Sequence, residues 1–164
     1  HKRRNVAKVG YERGVPMGSD LNTTAAPRFW VWATQDPTGT PLDRIQIIKG
    51  WVENGEQRQR VWDVVCSSGR KPNESGKCPA TTASVDLSSC QRTGGEGARE
   101  LEVTFSDPDF SAEYPAFYYA RVLENPTCRW TTVLANSGNT ELPDDVPAIV
   151  QERGWSSPIW SASR

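Results

Sequence analysis

PAFYYARVLENPTCRW, at residues 115–130, is an aromatic, strand-favouring run closed by a proline turn and a cysteine. Its first half suits a pleated surface on which bulky side chains lie against one another. Near the end of the chain, GWSSPIW at residues 154–160 reads as a short strand that fits beside it. Pro158 removes one ladder donor there, which puts that strand at an edge or a bulge. Together the two segments predict a disulfide-bonded β-sheet and specify no chemistry.

Working outward, FWVWAT at 29–34 is a strand followed by the turn residues Gln35, Asp36, Pro37, Thr38 and Gly39. In LDRIQIIKGWV, residues 42–52, Ile45, Ile47 and Lys49 alternate with Arg44, Gln46 and Ile48, which predicts a strand with one buried face. Asn54-Gly55 is a strong hairpin signal and returns the chain through residues 56–65. RELEVTF at 99–105 alternates strictly, with Leu101, Val103 and Phe105 inward. Between Cys66 and Ala98 the composition turns to Ser, Gly, Thr, Lys and Pro, and only Ala83–Leu87 suggests a short edge strand. After Trp130 the pattern fades. Asn136–Asn139 reads as a turn, and residues 147–152 as one helical turn begun by Pro147. Residues 1–28 show no convincing strand, and Gly10, Gly14, Pro16 and Gly18 limit any helix around Val6 and Val9 to a single turn. The expectation is a docking arm over residues 1–28 and an all-β module over 29–164. That module is expected to be an antiparallel β-sandwich with long disulfide-tied loops and little helix.

At 164 residues the chain is long enough for one domain with a real core. Only 36% of residues are hydrophobic, so its seven tryptophans supply much of the burial. A formal net charge of −1 gives no field of one sign to attract nucleic acid or anionic lipid, and the basic start His1-Lys2-Arg3-Arg4 reads as a solvated terminus. No apolar run approaches the ~20 residues of a membrane span. The start lacks the apolar segment of a secretory signal and begins with His1, so the chain is expected to be a piece of a longer or nicked protein. The four cysteines, Cys66, Cys78, Cys90 and Cys128, sit in or beside polar loops without close pairs. That favours two disulfides in an oxidising compartment over a zinc site. Four cysteines allow three pairings. The expected one is Cys66–Cys78 with Cys90–Cys128.

Chemistry is hard to find among these residues. The aspartates are scattered and none comes with a histidine. Asp107-Pro108-Asp109 and Asp144-Asp145 have oxygen donors for calcium but lack a glycine-bearing ligand loop, so they read as turn formers. There is no Gly-x-Ser-x-Gly elbow and no histidine mid-chain for a catalytic triad, and the glycine-bearing segments match no phosphate loop. Exposed aromatic rings can stack on sugars, which makes Trp51, Trp62, Trp130 and Trp155 candidates for a carbohydrate- or cell-surface-binding sandwich.

RGVPMGSDL at 13–21, FYYARVLENPTCRW at 117–130 and QERGWSSPIW at 151–160, with DPTGTPLDRIQIIKGWV at 36–52, resemble the C-terminal part of an uncharacterised bacterial family of exported or envelope-associated proteins. The N-terminal part of such proteins resembles PHP-type (polymerase and histidinol phosphatase) metal-dependent hydrolases. The Asp-x-His-x-His type of motif that would hold their metals is absent from this chain. The resemblance therefore implies a β-rich module without catalytic or metal-binding residues of its own. It also implies a periplasmic or extracellular setting, with a divalent metal in the hydrolase-like part. That part would be the module's partner, covalently attached or associated after nicking. Arg13, Gly14, Val15, Pro16, Met17, Gly18 and Asp20 would form the junction between the two. Asp20 is the one residue there able to reach a metal or substrate, unless it caps a turn.

Overall fold

The computed structural model describes residues 6–162. Strand β3 (Leu42–Glu53) and strand β4 (Glu56–Cys66) form the expected hairpin, paired from Glu53 opposite Glu56 to Arg44 opposite Cys66 with a one-residue register shift between Ile45 and Gln46. Its tip is Asn54-Gly55, both at positive φ, the conformation that a two-residue hairpin turn requires. Strand β8 (Ala116–Glu124) pairs antiparallel with the other edge of β3, so β3 is a central strand.

GWSSPIW does lie beside β8, in two pieces. Strand β11 (Arg153–Trp155) pairs with Arg121–Leu123, and strand β12 (Ile159–Ala162) pairs with Ala116–Tyr118. Between them the chain leaves the ladder around Pro158, as a residue without an N–H demands. In place of a normal ladder contact, the Ser156 hydroxyl accepts the Ala120 N–H (2.9 Å).

Strand β1 (Asp20–Asn22) then adds to β12 in parallel, so the arm enters the main sheet, contrary to the strandless reading of residues 1–28. Before it, helix α1 (Val6–Arg13) runs straight through Gly10. A mid-helix glycine costs only about 1 kcal/mol, and a Lys8–Glu12 pair lies one turn apart at 3.8 Å. The six-stranded sheet is ordered β1-β12-β8-β3-β4, with β11 beside β8.

The second layer is the ribbon of β2 (Arg28–Thr34) and β7 (Glu100–Ser106). Its inward residues Phe29, Val31 and Phe105 meet Ile47, Trp62, Tyr118 and Ala120 of the main sheet, while Leu101 joins Leu42 and Ile45. This is the expected sandwich, all-β and without a closed barrel. Both expected disulfides form, Cys66–Cys78 and Cys90–Cys128. Two short ladders serve the loops. One joins β5 (Ser84–Val85) to β6 (Arg92–Thr93), and the other joins β9 (Thr127–Cys128) to β10 (Ile149–Val150). Residues 149–150 are thus extended where a helical turn was expected, and helix α2 (Trp130–Gly138) occupies the stretch where the pattern faded. Thr132 Oγ1 donates to Ala148 O (2.8 Å), fastening that helix to the residue just before β10.

The alternation in β3 predicts one buried face, yet Gln46, Ile48 and Gly50 on the other face are buried as well. Neighbours on both edges cover them, and the Phe117 ring lies directly over Gly50. A Cβ built on Gly50 falls 2.3 Å from that ring. Gly50→Ala is expected to displace the Phe117 ring and cost about 1–3 kcal/mol by overpacking. Added to Phe117→Ala the same change should cost much less, which a denaturation double-mutant cycle reads directly.

Candidate functional site

Residues paired across neighbouring strands present their side chains on the same face of a sheet. Asp20, Trp160, Phe117 and Gly50 therefore make one row across β1, β12, β8 and β3, on the face turned away from the β2–β7 ribbon. Trp155 opposite Arg121, itself opposite Gln46, makes a parallel row, and Tyr119 lies between the two. The Phe117 and Trp160 rings are 5.3 Å apart, and those of Phe117 and Tyr119 are stacked at 6.4 Å. Trp160 is 53% exposed and Trp155 60%, so two indoles stand on this face with Arg121. Arg121 Nε donates to Gln46 Oε1 (2.7 Å), which fixes its guanidinium against the sheet.

The junction residues reach the same edge. Arg13 ends α1, and the Gly14 N–H donates to Gly10 O (2.9 Å). Val15 is half-buried, whereas Pro16 and Met17 are exposed. The Gly18 N–H donates to Pro158 O (2.9 Å), and the Trp160 N–H returns to Ser19 O (3.1 Å). Asp20 is the first residue of β1 and caps no turn. Its exposed carboxylate has no hydrogen bond or ion pair among the described residues. The fold thus gathers Gly18, Asp20 and Trp155 at one sheet edge, with Phe117, Tyr119 and Trp160, which sequence reasoning did not single out. The signal for Trp160 was present in the alternation of GWSSPIW. The signal for Phe117 needed the register with Gly50.

The other tryptophan candidates lie elsewhere. Trp62 is only 6% exposed and packs against Phe105 in the core, so no ring face is open to a sugar. Trp51 is half-buried against the same core, with Lys49 Nζ 4.8 Å from its ring centre. Trp130 is exposed at the start of α2, away from the aromatic row in the sheet.

Charged groups inside the fold are committed to structure. Lys49 Nζ donates to Asp107 Oδ2 (2.7 Å) and Asp109 O (2.9 Å), and the Tyr118 hydroxyl donates to the same Asp107 oxygen (2.7 Å). Burial first, then the bond and charge of Asp107, push the Tyr118 phenol far above its usual range. Beneath the Cys66–Cys78 loop, Arg70 and Arg44 both pair with buried Asp43, while Asp63 accepts from Gln46 and from the Cys78 N–H (2.7 Å). Asp107 also accepts the Asp109 N–H (2.8 Å), which makes that motif a turn. Asp36 is a turn former too. Bonds from the Thr38 N–H and hydroxyl hold its carboxyl below the ordinary value. Among the described residues no three His, Cys, Asp or Glu side chains come together as a metal site, so the residues present do not fit the divalent metal of a hydrolase. Among the described residues no helix is long and apolar enough to cross a membrane.

A family model for a protein of unknown function, DUF3604, matches residues 1–163. The chain belongs to the DUF3604 family. No curated protein and no solved structure matches it. The expectation of an uncharacterised family is met to that extent. In this DUF3604 chain two of the segments that carried the resemblance, 117–130 and 151–160, pair at β8, and the third, 13–21, reaches the far edge of β12.

Lys49→Met should lower stability by roughly 3 kcal/mol, because it leaves the Asp107 charge buried beside a lost partner. The Tyr118 phenol keeps its proton in the fold. Its contribution is complete below the unfolded-state value of about 10 and is lost as pH rises beyond it, since the unfolded chain then sheds a proton that the folded chain retains. Tyr118→Phe should therefore flatten the alkaline limb of the stability–pH curve, measured by urea denaturation across that range.

Proposed function

We propose that this chain is the non-catalytic C-terminal module of an exported, metal-dependent hydrolase-like protein of bacterial origin. In this reading it packs on the catalytic part and helps to shape or shield the active site. The observation that carries it is the arm. Helix α1 buries none of its residues, and Tyr11 (71%) and Met17 (63%) are exposed. Yet the residues just after it are hydrogen-bonded into the sheet edge. An arm anchored at one end, with apolar side chains that its own module leaves uncovered, suits a contact with another folded part. The hydrolase-like part implied by the resemblance is the occupant to which this reading commits, and the divalent metal would reside there. The two disulfides agree with the oxidising setting of a periplasmic or extracellular protein.

A second reading has one specific observation in its favour. Trp155, Trp160, Phe117 and the exposed Asp20 share one face, an arrangement suited to stacking and hydrogen bonding a sugar ring. In that case the module binds carbohydrate, and Trp155→Ala and Trp160→Ala abolish the quenching of tryptophan fluorescence by glycans.

The purified chain supplied with divalent metals is expected to hydrolyse no phosphate, sulfate or carboxylic ester above background. Robust turnover by the chain alone overturns the accessory-module reading.

A further inference from the structure

A cleft of about 630 Å³ opens at the end of the sandwich between the turn at residues 35–41 and the loop at 92–99. Its size falls in the range of small-molecule sites, but its walls are polar. Arg92 and Arg99 both line it, and neither guanidinium has a hydrogen bond or ion pair with any described residue. Glu96 and Gln35 line it too. The Gln35 amide nitrogen is spent on Gly39 O (3.2 Å), leaving its carbonyl oxygen as an acceptor. The carboxylate of Glu96 is likewise without a partner among the described residues.

The loop that carries these groups is held in place on several sides. Cys90, two residues before Arg92, is bonded to Cys128. Gly95 has φ +48° and its backbone is pressed against Ala83, where a Cβ would stand 2.5 Å from the Ala83 nitrogen. Gly97 has φ +69° and leaves no room for a Cβ against Asn125 and Pro41. The Gly97 N–H donates to Ser68 Oγ (3.2 Å), Ala98 exchanges both backbone bonds with Leu42, and the Gln35 N–H donates to Arg99 O (2.8 Å). Two unspent cationic forks are thus mounted on a loop whose backbone is already ordered. This lowers the entropy cost of engaging a ligand.

We propose that this cleft binds a small hydroxylated oxyanion, an acidic or sulfated sugar. Arg92 and Arg99 clamp the carboxylate or sulfate, since a guanidinium meets either group with paired hydrogen bonds. Glu96 and the Gln35 carbonyl accept from the ligand's hydroxyls. Among the lining side chains two arginines stand against one glutamate, and the neighbouring Glu124 carboxylate is occupied by the Thr40 N–H and hydroxyl. The site uses none of the tryptophans and stands apart from the accessory-module reading.

The test is an NMR titration of the isotope-labelled chain with glucuronate, glucose 6-sulfate, glucose and inorganic sulfate. One or both anionic sugars should shift the amides of Gly39, Gly97 and Arg99 to saturation with Kd of about 1 mM or tighter, and glucose should not. The tighter of the two identifies the source of the oxyanion. Arg92→Gln with Arg99→Gln should weaken binding at least about tenfold and leave the thermal midpoint in place, while Arg153→Gln changes nothing. Equal binding of glucose, undiminished binding by the double variant, or no saturable shift with either anionic sugar overturns the proposal. Inorganic sulfate binding as tightly as both sugars overturns the part assigned to Glu96 and Gln35.

Discussion

Strand β8 is bonded along both edges, to β3 on one side and to β11 and then β12 on the other. That double pairing is the constraint from which the remaining architecture follows. It makes β3 a central strand, turns Phe117 onto Gly50 and sets Tyr119 opposite the buried Ile48. On the inner face it brings Tyr118 to Asp107, where the buried Lys49 charge is neutralised. Such a pair is tolerated inside a small domain because the carboxylate accepts from an ammonium, a phenol and a backbone N–H at once. With β8 committed on both sides, the free edge of β12 is what remains for the arm.

Local signals reported local structure well. Asn54-Gly55 fixes its hairpin because few residue pairs accept positive φ at both positions, and RELEVTF alternates because one face of a two-stranded ribbon is solvated. The spacing and loop setting of the cysteines pointed to two disulfides, and the pairing chosen among three is the one that forms. Helix α2 escaped notice because Thr131, Thr132 and Val133 are poor helix formers by side-chain entropy. What holds it is the contact with Ala148 and a left-handed Asn139 cap. Residues 149–150 are extended because they pair with Thr127 and Cys128, a non-local contact that outweighs the preference of Pro147 for a helix start.

The candidate site was legible only in fragments. Trp155 and the Gly18–Asp20 segment stand out as residues, but that they share an edge depends on the parallel pairing of β1 with β12, which no alternation in three residues can announce. Trp62 looked equally available until the hairpin register turned it to the core. Arg92 and Arg99 carry no motif. Their significance comes from a loop folded against Ala83, Asn125 and Leu42, contacts far apart in sequence. Trp155 and Trp160 stand exposed on the face that the anchored arm reaches, while the buried charges Lys49 and Asp107 are spent on each other.

Hydrogen exchange tests that view most directly, comparing the chain of residues 1–164 with the longer protein in which the account places it. Exchange over residues 10–22 and 153–160 should slow markedly in the longer protein, while β3 and β4 exchange alike in both. Identical exchange over those two segments would contradict the assignment of this edge as the docking surface.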